Sequence, residues 1–164
     1  MAYQARQRDP IFDAATQAVI ERRGKELVGA GLVLLGLAIA LIVGSYTPED
    51  PNWFAATDAP VRNWLGVPGA YLAPILKIGL GHGAWALALG IATWGLRFIL
   101  HWGEDRAMQR IPFLVPAVFV VSVYASTLVP GAGWNISFGL GGALGDTILG
   151  MVLNALPTDF QLGV

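Results

Sequence analysis

Cysteine is absent from the 164-residue chain, which removes disulfides, thiolate metal sites and cysteine nucleophiles together. Imidazole is scarce, with only His82 and His101 present. Charge is scarce as well: 13% of residues are charged, and Lys plus Arg at 10 against Asp plus Glu at 11 leaves a net charge of −1. No overall basic field exists to hold nucleic acid, so direct nucleic-acid contact from this chain is not expected. An early apolar core of the signal-peptide kind is also missing. The first apolar run begins only at Leu27 and reads as a retained anchor. What the chain has in excess is apolar surface, 55% of residues, together with 21 glycines. A water-soluble fold would struggle to cover that much. The expected class is therefore all-α, an integral membrane helical domain in contact with the lipid bilayer.

Residues 1–26 are polar and read as an N-terminal segment with a short helix opening at Asp9 and Pro10, an N-cap followed by proline at the first helical position. Leu27 to Tyr46 is free of charge. At 1.5 Å per residue these residues reach about 30 Å, the thickness of the hydrocarbon core, so 27–46 is the first predicted transmembrane helix. Thr47, Pro48, Glu49, Asp50 and Pro51 then break the helix and open an outer loop over 47–68. The uncharged stretch from Gly69 is interrupted only by Lys77 and reaches Phe98 and Leu100 beyond Arg97, about 48 Å if wholly helical, too long for one upright span. Gly79, Gly81 and Gly83 supply a break. The reading is an interfacial helix over 69–81, with Lys77 snorkelling, and a second span over 82–100. A polar link, 101–110, precedes a third span over 111–129, whose Pro112 and Pro116 suit first turns or a kink. Residues 130–164 form a loop plus an interfacial helix or the start of a truncated or ambiguous fourth span. Val67 to Leu76 and Leu140 to Leu149 look like a weak parallel repeat, which would make 142–156 the counterpart of the first interfacial helix.

Basic residues set the expected orientation. Arg22, Arg23 and Lys25 precede the first span, and Arg97, Arg106 and Arg110 flank the link between the second and third, whereas the opposite loops hold only Arg62. The positive-inside rule then puts the N-terminus in the cytoplasm.

Catalytic patterns are missing. Gly24 and Lys25 lack the preceding glycine and following hydroxyl of a phosphate-binding loop. Ser122 and Ser126 sit at helical spacing and are expected to bond within the third span. Glu49, Asp50 and Asp58 lack calcium-loop spacing and read as a solvated turn. His82 and His101 fall at opposite ends of one helix, so they share no metal. Asp146, an ionisable group near a bilayer, reads as a shallow interfacial residue or, alternatively, part of an ion path. No cofactor is expected. The informative pattern is small residues: Gly36, Ala40 and Gly44 on one stripe of the first span, and Ala84, Ala88 and Ala92 on one stripe of the second. Such stripes let helices approach closely, within the chain or between copies.

Four segments in order carry a family resemblance: S-Y-T-P-E-D-P at Ser45 to Pro51, V-R-N-W-L-G-V-P-G-A at Val61 to Ala70, G-L-R-F at Gly95 to Phe98, and G-G-A-L-G-D at Gly141 to Asp146. The chain resembles the N-terminal four-span membrane domain of FtsK/SpoIIIE-type DNA translocases. That resemblance implies a bacterial inner-membrane anchor at the division septum, a homo-oligomer in contact with division proteins, serving a separate ATP-driven DNA motor that couples septum formation to chromosome segregation. No ATP-binding or DNA-reading residue of the family has a matching position here. The competing reading is a small accessory membrane subunit packed against a larger bioenergetic or transport complex.

Overall fold

The computed structural model describes residues 13–103 and 111–156. These residues form helices and loops with no strand among them. The expected Asp9–Pro10 helix start and the residues Arg106 and Arg110 lie outside the described residues.

Helix α1 spans Ala14–Gly44 in 31 residues, about 46 Å. The polar segment and the first span are one continuous helix, not two. Lys25 pairs with Glu21 at 2.9 Å and Arg22 with Glu26 at 3.4 Å, both one turn apart. Such pairs sustain a helix in water, and no proline intervenes between Ala14 and the apolar part. α1 stops at Ser45, whose hydroxyl turns back to donate to Leu41 O at 2.6 Å.

Helix α2 covers Gly66–Leu80 and α3 covers Gly83–Leu100. The break falls among the three glycines as expected: Gly81 adopts φ +56°, a conformation that a β-carbon disfavours. Ile111–Phe113 forms a single 3₁₀ turn and Leu114–Ser126 forms α4. Pro112 lies in that turn and Pro116 in the first turn of α4, where a missing N–H costs no helical bond. Helix α5, Gly142–Ala155, has 14 residues, about 21 Å, too short to cross a hydrocarbon core of about 30 Å. α1 and α3 are long and apolar enough to cross a membrane; α2 and Ile111–Ser126 are shorter apolar helices.

α1 and α3 run antiparallel and form the longest helix–helix contact, α4 packs on α3, and the short helices α2 and α5 meet at one end of the bundle. Five of the eight buried hydrophobic residues are alanine: Ala70, Ala73, Ala84, Ala88 and Ala125. Large side chains such as Leu27, Leu34, Leu37, Leu89 and Leu96 point outward. Small residues inside and leucines outside is the arrangement of helices packed in lipid, where close backbone approach rather than hydrophobic expulsion holds them together. The molecule is a membrane helical domain.

Candidate functional site

The seam between α1 and α3 is built on glycine. A β-carbon on Gly36 would sit 2.7 Å from Ala88 O and 2.8 Å from Ala92 Cβ, and one on Gly29 would sit 2.6 Å from Gly95 O. From the facing side, a β-carbon on Gly95 would lie 2.6 Å from Val33 N. Each distance is shorter than a carbon atom tolerates, so the two backbones touch. Ala84 and Ala88 are buried. Ala40 and Ala92 are half-buried, and Gly44 is exposed with only the Trp85 ring edge near it, at 3.4 Å. Gly29 and Gly95 belong to this seam although the small-residue stripes drawn from sequence omit them.

At one end of the seam lie Arg22, Arg23, Lys25 and Arg97. Arg23 donates to Glu26 at 2.6 Å. That hydrogen bond, with weaker attraction from Arg23, His101 and Arg22 opposing slight desolvation, holds the Glu26 carboxyl below its ordinary pKa. His101 ends α3 in a left-handed conformation, φ 54°, and its Nε2 stands 3.8 Å from Glu26. The C-terminal end of α3 is thereby set beside Glu26 of α1, among the basic residues.

The opposite end is held by two polar staples. In the first, Asp50 is 1% exposed and accepts the backbone N–H of Arg62 at 2.8 Å and of Asn63 at 2.9 Å. Asn63 in turn donates to Ile42 O at 3.0 Å, and Trp64 N donates to Ser45 Oγ. The loop over 45–65 is thereby folded back onto the end of α1. Asp50 is thus no solvated turn residue, as its acidic neighbourhood suggested; Glu49 and Asp58 are exposed. Gly69 in α2 lies so close to Asn63 that a β-carbon would overlap its side-chain oxygen.

The second staple joins α4, α5 and the α2–α3 junction. Ser126 Oγ donates to Asp146 at 2.6 Å and Gly139 N donates to the other carboxylate oxygen at 2.7 Å. Ser122 Oγ donates to Leu80 O at 3.0 Å. Both serines therefore bond across to other elements, not within their own span as expected, because Gly83, Gly141 and Gly145 leave α4's serine face open to close neighbours. Asp146 is engaged at both oxygens, as a bridge rather than a group facing a channel. Gly142, with φ +69°, meets Gly81 backbone to backbone. His82 N donates to Leu140 O at 2.8 Å, and the His82 Nδ1 contact with the same carbonyl at 3.0 Å assigns the proton to Nδ1. The His82 ring stacks on Trp134 at 5.4 Å, and Lys77 Nζ lies 4.8 Å from that indole. Lys77 is half-buried in this contact, a cation–π placement near the end of α2.

Aromatic side chains mark both ends. Trp53, Phe54 and Trp64 are exposed at one, and Trp102 at the other, the belt pattern of a bilayer-spanning protein. No group of three or more potential metal ligands occurs among the described residues.

Comparison with known proteins supplies the family. A family model described as the 4TM region of DNA translocase FtsK/SpoIIIE matches residues 21–159. The DNA translocase FtsK of Azospirillum brasilense is 33% identical over 145 residues, 87% of this chain and 23% of that protein. That of Bradyrhizobium diazoefficiens is 35% identical over 131 residues, 79% of this chain and 16% of its own length. That of Caulobacter vibrioides is 33% identical over 132 residues, 78% and 16% respectively. The chain thus spans less than a quarter of the length of these relatives. No solved structure matches it.

Proposed function

Since this chain belongs to the FtsK/SpoIIIE family, as its four-transmembrane region, we propose that it is the inner-membrane anchor of a DNA translocase working at the division septum, with its N-terminus in the cytoplasm. The chain carries the membrane region, and ATP hydrolysis and DNA movement would belong to a motor connected to it. The observation that best supports an anchor is the α1–α3 seam: two antiparallel helices with backbones in contact at Gly29, Gly36 and Gly95 make a stiff hairpin. Coupling septum formation to chromosome segregation requires such a fixed point.

Orientation rests on the charges. Arg22, Arg23, Lys25 and Arg97 gather at one end of the hairpin, as the positive-inside rule asks of a cytoplasmic face. Self-association and contact with division proteins belong to the same proposal. The surface used must lie outside the seam, because Gly36, Ala88 and Ala92 already cover one another within the chain.

Immunoblotting of inner membranes with an antibody to residues 13–26 tests the anchor. The relatives' lengths, of which 145 aligned residues are 23% and 131 are 16%, predict a product about four to five times heavier than 17.4 kDa, enriched at septa by microscopy. A product of 17.4 kDa would refute the proposal and favour an accessory membrane subunit.

A further inference from the structure

Helix α4 starts late. Its first residue, Leu114, lies against Gly90 in the middle of α3, where a β-carbon on Gly90 would collide with the leucine's terminal methyl. The ten residues of α3 that follow Gly90, about 15 Å, therefore have α1 on one side and, among the described residues, no α-helix on the other. The result is an open cleft of about 280 Å³ lined by Gly90, Thr93, Trp94, Arg97, Phe113 and Leu114.

The lining is apolar with one cation. Thr93 spends its hydroxyl on Leu89 O at 2.7 Å. Arg97 is half-buried and has no ion pair among the described residues, where Glu26 pairs with Arg22 and Arg23. A guanidinium in that setting calls for an oxyanion, and it matches phosphate in a planar, two-pronged way. The position fits too: Arg97 is one turn inside the end of α3, and the exposed Trp102 follows that end, as in a headgroup zone.

We propose that this cleft holds one anionic phospholipid from the leaflet on the basic side, its phosphate on Arg97 and the first part of an acyl chain over Trp94 and Leu114. Charge complementarity selects the headgroup, and the apolar lining from Trp94, Phe113 and Leu114 receives the chain. The proposal rests on membrane insertion and not on the translocase reading, so the two fail separately.

Native mass spectrometry of the full protein, released from nanodiscs of phosphatidylcholine containing phosphatidylglycerol, is the test. Preferential retention of phosphatidylglycerol is expected. Arg97→Gln should lower that retention about fivefold, the factor one basic residue contributes near an anionic surface, and Arg97→Lys should restore part of it. Arg62→Gln, at the other end, should change nothing. Equal retention of both lipids by the unaltered protein, or full retention by a folded Arg97→Gln variant, overturns the proposal. Should Arg97→Gln lose its helical circular dichroism, Phe113→Trp narrows the cleft without altering charge; retention must then fall, and unchanged retention overturns the proposal equally.

Discussion

Asp50 illustrates how a carboxylate in this protein is used for structure. It sits in a run of acids and prolines, yet its two oxygens each take a backbone N–H from a segment twelve or thirteen residues away. Removing it leaves the buried Asn63 N–H and the partly buried Arg62 N–H without partners, a loss of about 2–3 kcal/mol. Asp50→Ala should therefore lower the thermal midpoint in detergent and expose the 45–65 loop to protease, while Glu49→Ala, at an exposed position, should shift stability by less than about 0.5 kcal/mol. Equal effects of the two substitutions would remove the staple from the account. Nothing in the sequence distinguished Asp50 from Glu49, because burial of a carboxylate depends on where a distant N–H pair returns. Asp146 shows the same limit. Its glycine-rich setting pointed to a shallow position, but its partners Ser126 and Gly139 are set by how α5 folds back on α4.

Helix positions were largely legible, because an uncharged run, a glycine break and paired prolines are local signals. The face each helix presents was legible only in part. Gly36, Ala40 and Gly44 follow a four-residue spacing, which rotates about 40° per step around a helix of 3.6 residues per turn. The buried positions Gly29, Gly36 and Val43 follow a seven-residue spacing, which drifts only about 20° per step. An antiparallel partner in contact over four turns needs the slower drift, so the seam runs through Gly29 and leaves Gly44 at its edge. On α3 the same spacing links Ala88 to Gly95. Gly29→Leu should force the backbones apart and cost about 1–3 kcal/mol or more. Gly31→Leu should be tolerated, since nothing lies within 4 Å of a β-carbon there. Unfolding in a denaturing detergent series compares them, and a Gly31→Leu variant as unstable as Gly29→Leu would mean that propensity, not the seam, governs α1.

For the whole molecule the open quantity is the path of the chain through the bilayer. α1 and α3 have the length to cross, but Ile111–Ser126 has 16 residues, about 24 Å against a core of about 30 Å. Bilayer thinning can absorb such a mismatch at modest cost. The exposed Phe113 at one end and the Asp146 bridge at the other bracket an apolar stretch that suits a short span. Because residues 1–164 contain no cysteine, single-cysteine variants of this region, compared with the unaltered protein, test it with a membrane-impermeant maleimide. Thr57→Cys and Asn135→Cys, both at exposed loop positions, should label in spheroplasts, and Gln17→Cys only after permeabilisation. Labelling of Gln17→Cys alone would invert the molecule and overturn the charge argument. Labelling of Thr57→Cys without Asn135→Cys would leave α1 and α3 as the crossing pair and make α4 a helix that enters the bilayer and stays on the basic side. That outcome would also leave the 126–146 staple on the cytoplasmic side, where its junction with the α2–α3 turn could not form, so the observed contact between Gly81 and Gly142 argues for labelling of both.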